Sequence, residues 1–231
     1  MISVDRVVDL TRPIDPDVAM WPGTPAPSVE TRVTVEENGF FARLWHLWEH
    51  TATHIDAPAH FIAGAPTVES LPLAGLVCPA VVIEVADRCA GKPDYAVTVD
   101  DVARFEGANG AVPRGAAALI HTGWDLLHDD RERYMGAEGD LRFPGVGEEA
   151  ARLLVERRGV VGIGIDTLGI DPGSDTDFSV HRHATLVNGV WNLEGLVNLD
   201  QVPATGALLV TGALPLVGGS ATPCRVFALI G

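Results

Sequence analysis

Five short apolar runs, at residues 79–85, 115–120, 159–165, 206–211 and 225–230, narrow the possible folds of this 231-residue chain more than any other feature. Each is rich in Val, Ile, Leu or Ala, as expected of strands buried on both faces. Residues 28–36 and 40–49 add β-forming side chains on either side of Asn38-Gly39, a hairpin signal that predicts two antiparallel strands. Three prolines and a Pro22-Gly23 close make 7–23 irregular and extended. Helices are fewer. Residues 98–105 open with Thr98 and Asp100 as caps, and 146–158 carry acids early, bases late and Gly159 as a stop. Segment 124–135 is a third candidate. No repeat, linker or shift of composition divides the chain. The expectation is one α/β domain spanning residues 1–231, with mixed β-sheets and few helices.

At 47% hydrophobic and 20% charged residues the chain can bury a substantial core, which excludes disorder. Lys and Arg number 16 against 31 Asp and Glu, a formal charge of −15 with no basic stretch. That argues against nucleic acid and anionic membranes as partners, and the acidity is read as a solubility feature. No apolar stretch approaches the roughly 20 residues of a membrane span. Cys78, Cys89 and Cys224 form no C-x-x-C pair, and the start Met-Ile-Ser-Val-Asp-Arg is no secretory signal, so a cytoplasmic protein with free thiols is expected. Nucleotide cofactors are not implied. Gly218-Gly219 and Gly162-Ile163-Gly164 lack the residues of a phosphate loop or dinucleotide fingerprint, and no G-x-S-x-G elbow is present.

Four of eight histidines, His46, His50, His54 and His60, fall within fifteen positions. Imidazole with carboxylate suits Zn²⁺ or Mn²⁺. On a helix Asp56 would point roughly 200° away from His54. On a strand His50 and His54 would stand about 13 Å apart, too far to share an ion at about 2.0–2.2 Å. The chain must therefore bend through Thr51-Ala52-Thr53, with His54 and Asp56 projecting alike from a local extended piece. Pro58 bars the segment from a helix interior or a central strand. A strand end turning into a site-lining loop meets all these conditions.

The run H-T-A-T-H-I-D-A-P-A-H-F resembles the H-x-G-T-H-x-D-x-P-x-H signature of the cyclase family of metal-dependent hydrolases, which includes bacterial kynurenine formamidase and isatin hydrolase. The likeness continues through Asp9-Leu10-Thr11, Trp21-Pro22-Gly23, Thr122-Gly123-Trp124, Gly164-Ile165-Asp166-Thr167-Leu168, the stretch Asn192 to Leu199, and Gly218-Gly219-Ser220. It implies a swivelling β/β/α fold, usually a homo-oligomer (dimer or tetramer). It also implies His50, His54 and Asp56 as ligands of a first divalent ion, His60 as the acid/base, and Glu194 with an upstream histidine as further ligands. In binuclear members Asp56 and Glu194 would bridge two ions; a single-ion site is the alternative. Two departures stand out. The family glycine is Ala52 here, which is costly if the turn is left-handed. The upstream histidine, twelve positions before Glu194, falls on Arg182. A one-residue insertion within 183–189 restores His181, the expected ligand, with His183 the alternative.

The chemistry implied is attack of an activated water on an amide, formamide or lactone carbonyl of a small, aromatic substrate, in the manner of an arylformamidase. Trp21 is the candidate substrate-binding residue. Trp48 and Phe61 are read as packing, His46 as structural, and His121 and His128 as ordinary polar positions. Asp166 and Asp171 could support the site. A biosynthetic cyclase or dehydratase, an isatin hydrolase-like cyclic amide hydrolase, and a non-catalytic metal binder are the competing readings.

Overall fold

The computed structural model describes residues 3–137 and 139–231. Strands β1 (Arg6–Asp9), β2 (Ser28–Val33), β3 (Ala42–His46), β4 (His54–Asp56), β5 (Val77–Glu84) and β6 (Ala96–Val97) come first. They are followed by β7 (Ala117–His121), β8 (Gly136–Ala137), β9 (Asp140–Leu141) and β10 (Gly145–Val146). The last four are β11 (Gly162–Ile165), β12 (Trp191–Glu194), β13 (Ala207–Ala213) and β14 (Ala221–Ile230). Among them are all five apolar runs. One mixed sheet has the order β1-β14-β13-β5-β7-β11-β12-β4, and β4 also pairs with β14. The last seven of these strands thus close on themselves as a barrel. Parallel pairing links β5, β7, β11 and β12, while β4, β13 and β14 join antiparallel to their neighbours.

Closure explains why the runs are continuously apolar. On β5, Cys78, Ala80 and Val82 join the cluster with Ile55, Leu119, Leu193, Leu209 and Val226, which fills the barrel. Val81 and Ile83 face the other way, against Val102, Phe105 and Leu154 of the helices. β7, β11 and β12 are buried on both faces, so period-2 alternation of polarity disappears along them. Gly162 shows how tight the interior is: a Cβ there would lie 2.1 Å from the Trp191 ring.

Several expectations change. Residues 7–23 are not all irregular, because β1 pairs with the end of β14. The 28–49 hairpin forms, but Val35–Asn38 makes a helical turn between its strands, with Gly39 left-handed at φ 78°. The helix Val99–Asn109 is capped by Thr98, reciprocally with Asp101 rather than Asp100. Residues 146–158 give a short helix, Glu148–Arg152, that widens into a π turn, Leu153–Arg158, and stops at left-handed Gly159. Segment 124–135 is split into a 3₁₀ turn, Trp124–Leu127, and the helix Arg131–Met135. Among the described residues no helix is long and apolar enough to cross a membrane.

Candidate metal centre

Strand β4 builds the site. It lies between β12 and β14, with Glu194 opposite His54 and Asn192 opposite Asp56. Ile55 and Leu193 point into the barrel core, so the pleat sends His54, Asp56, Asn192 and Glu194 to the other face. Ala52 provides the bend ahead of β4 at φ 54°. The costly left-handed alternative is the one adopted. Thr53 pins the bend by donating to the Gly195 carbonyl at 2.6 Å and accepting from the Arg12 amide at 2.8 Å. Pro58 opens a 3₁₀ turn, Pro58–His60, as its fixed φ allows.

His54 and His181 stand on either side of two carboxylates. His54 Nε2 lies 3.4 Å from Asp56 Oδ1 and 3.3 Å from Glu194 Oε2. His181 Nε2 lies 3.3 Å from Asp56 Oδ2 and 3.3 Å from Glu194 Oε1. Each carboxylate therefore offers one oxygen to each imidazole. His50 Nδ1 adds a third nitrogen, 2.9 Å from Asp56 Oδ1. Donors bound at about 2.0–2.2 Å in tetrahedral geometry are separated by about 3.3–3.6 Å, close to this spacing.

The second ring nitrogens fix which nitrogen faces inward. His54 Nδ1 donates to the Ala52 carbonyl at 3.0 Å, and His181 Nδ1 donates to Asp171. Each leaves Nε2 as the lone pair facing the carboxylates, the usual support of a metal-binding histidine. Among the described residues, His54 Nε2 and Asp56 Oδ1 are buried without a hydrogen-bond partner, as are both amide atoms of Asn192. Orphaned imidazole and carboxylate atoms pointing at one another are what a divalent ion would satisfy, so the donor set fits. Without an ion, protons are recruited instead. Burial opposes charge on His54, but Asp56 and Glu194 outweigh it and raise its pKa to about 10. His181 is likewise raised despite burial, by Asp171, Asp56 and Glu194. Burial and the neighbouring Asp56 push Glu194 up, yet bonds from His181 and His54 hold it at about 2. Asp56 lies well below the usual carboxylate range, burial being overcome by His50, His54 and His181.

His60 sits beside this group with its ring 4.0 Å from that of His50 and 5.8 Å from that of His181. Burial, aided by the charges of His50 and His181, lowers it to about 4, so it is unprotonated at neutral pH. His183, the alternative upstream ligand, is half exposed and turned to Glu148 at 3.9 Å. His181 opens a π turn, His181–Thr185. Such a turn holds one more residue than an α-helical one.

A cavity of about 620 Å³ opens over the group. Trp21 lines it, and so do Trp48 and Phe61, which are therefore cavity residues rather than packing residues alone. Asp171, Asp175, Phe178, Glu49 and Ser220 also reach it. Glu49 accepts from the Ser220 amide and hydroxyl at 3.0 and 2.7 Å, and Ser220 Oγ is 3.4 Å from His50 Nε2. Nothing in the spacing of Glu49, Asp175 or Phe178 marks them, since their roles depend on chain segments meeting in space.

The pattern that defines the putative cyclase family matches residues 8–172. The chain belongs to this family. This cyclase-family chain is 30% identical to isatin hydrolase of Roseibium aggregatum over 97% of its own length and 92% of the relative's. It is 31% identical to kynurenine formamidase of Salinibacter ruber, over 95% of each. Its fold is similar to that of isatin hydrolase A from Labrenzia aggregata bound to benzyl benzoate, with a TM-score of 0.90 at 30% identity over 97% and 93% of the two chains. A structure described as a potential metal-dependent hydrolase with cyclase activity matches with a TM-score of 0.74 at 29% identity, over 96% of each chain. The cyclase-family chain is thus related to amide hydrolases, and it carries buried His/Asp/Glu groups spaced to hold metal ions.

A second group, His121, Asp125 and Asp166, also lies close together. Asp166 already accepts from the Thr122 amide and hydroxyl and from the Gly123 and Trp124 amides. His121 is held by Glu84. Asp166 clamps the turn after β7, and its lone pairs are taken. His46, read as structural, pairs with Glu30 at 2.9 Å on the exposed hairpin. All three cysteines are buried free thiols.

Proposed function

We propose that this chain is a metal-dependent hydrolase that cleaves an amide, formamide or lactone bond of a small aromatic substrate, as an arylformamidase does. One observation carries the reading: His54 and His181 each face one oxygen of both Asp56 and Glu194 on the floor of an aromatic-lined cavity. His50, His54, Asp56, His181 and Glu194 would hold Zn²⁺ or Mn²⁺, one ion or two. A divalent ion there would acidify a water and polarise the scissile carbonyl. His60, unprotonated and beside the ligands, takes the proton of the attacking water and returns it to the leaving nitrogen or oxygen. Trp21 packs along the aromatic part of the substrate. Relatives named isatin hydrolase and kynurenine formamidase support this substrate class.

The test is metal analysis together with hydrolysis of N-formylkynurenine, isatin and simple lactones. Turnover lost on chelation and restored by Zn²⁺ or Mn²⁺ is expected, with product gaining the mass of one water. His60→Ala should keep the metal and lose about 10²–10⁴-fold in rate. Full activity in that variant sinks the acid/base role, and a bound metal without turnover of any panel member favours a non-catalytic metal binder. The chain is further proposed to act as a homo-oligomer, because Phe40, Phe41, Leu44, Trp45 and Trp48 leave an apolar stripe exposed on and beside the β2–β3 hairpin.

A further inference from the structure

We propose that Asp175 is a positioning residue that pins Phe178 in a left-handed conformation, and that the Phe178 ring so held selects flat aromatic substrates. The proposal rests on the cavity being the substrate site. Phe178 has φ 55°, and among the described residues only Ala52 and Asn198 share this region without being glycine. A bulky side chain rarely stays there unless its surroundings dictate it.

Two carboxylates dictate it. Asp175 accepts from the amides of Asp177 at 2.8 Å, Phe178 at 3.1 Å and Ser179 at 3.2 Å. Asp171 accepts from the next two, Val180 at 2.6 Å and His181 at 3.5 Å, and from the His181 ring. Five successive amides are thus captured, with Phe178 in the half held by Asp175. Burial pushes the Asp175 carboxyl up, but these bonds outweigh it and keep it ionised below the usual range.

The consequence is an unbroken aromatic wall. The Phe178 ring lies 5.7 Å from Trp21 and 5.4 Å from Phe61, and Phe61 lies 4.7 Å from the His181 ring. The wall runs from Trp21 to the candidate ligand His181. Adjoining rings are tilted by 46°, 48° and 31°, so each presents a face of its own, on which a planar guest can stack and which a puckered one contacts poorly. With the carboxylate gone, residue 178 is free to leave the left-handed region and the middle of the wall goes with it.

The test compares binding of benzamide and cyclohexanecarboxamide to the zinc-loaded protein by calorimetry, alongside KM and kcat for whichever panel substrate is turned over. Wild type should prefer benzamide at least tenfold. Asp175→Ala and Phe178→Leu should each cut that preference at least fivefold and raise KM more than they lower kcat, with zinc content unchanged. Phe178→Trp should retain it. If Asp175→Ala does not fold, Asp175→Asn, which keeps the shape and loses the charge, makes the same comparison. An unchanged preference in a folded Asp175 variant, or equal loss for both amides, overturns the proposal. A wild type that prefers benzamide but hydrolyses nothing refutes the proposed reaction and leaves the wall standing.

Discussion

Replacing Ala52 by glycine should make the protein more stable, although it removes a side chain. Ala52 sits at φ 54°, where an L-residue costs about 1–2 kcal/mol. Glycine removes that cost but is freer in the unfolded chain, which returns roughly 0.5–1 kcal/mol. The net gain is about 0.5–1 kcal/mol, or roughly 1–4 °C in Tm for a chain of this size. The bend has little freedom to relax in another way. The Ala52 carbonyl receives His54 Nδ1 at 3.0 Å, and a Cβ on the facing Gly195 would lie 2.7 Å from the same oxygen. Ala52→Val should conversely destabilise by about 1–3 kcal/mol, because branching at Cβ worsens the same clash. Calorimetric Tm of chelator-treated protein is the assay, since ion binding would add its own stabilisation. A lower Tm for Ala52→Gly, or a higher one for Ala52→Val, would refute the strain argument.

Asp171→Ala should weaken Zn²⁺ binding about 10–100-fold through the loss of His181 orientation, read by competition with a chromophoric chelator; unchanged affinity would remove Asp171 from the site. The joint contribution of His54 and Glu194 to the stability of the ion-free protein should be greatest between about pH 4.5 and 6.5. His54, raised from 6.5 to about 10, stabilises fully below 6.5 and loses that contribution as pH climbs towards 10. Glu194, depressed from 4.5 to about 2, stabilises above 4.5 and loses its contribution as pH falls towards 2. A Tm that rose from pH 7 to 9 without ions would contradict the sign for His54, and one that fell from pH 2 to 4.5 would contradict that for Glu194. On the exposed hairpin, Trp45→Asp with Leu44→Lys should halve the mass measured by light scattering, and an unaltered oligomer would place the subunit contact elsewhere.

The candidate site was legible where its chemistry is local. His50, His54 and Asp56 could be grouped because simple strand and helix geometry left a bend at 51–53 as the remaining way to bring them together. The five apolar runs likewise announce strands by composition. Less was legible where partners are distant in the chain. Asp175 and Phe178 carry no signal until the segment 171–181 folds back over the cavity, and Trp48 and Phe61 look like any core aromatic. The choice between His181 and His183 depended on which ring reaches Asp56 and Glu194, and only the folded chain shows that.

The sequence by itself marked the main strands, the donor chemistry of the candidate metal centre and the family pattern, because these follow from residue type and short-range spacing. Only the tertiary structure decided that seven strands close into a barrel, since closure depends on β4 reaching both β12 and β14. It also decided that Glu194 stands opposite His54 across 140 residues of chain, a consequence of strand register. Register is a property of the whole packed sheet, fixed by which side chains the core accepts, and no single segment contains it.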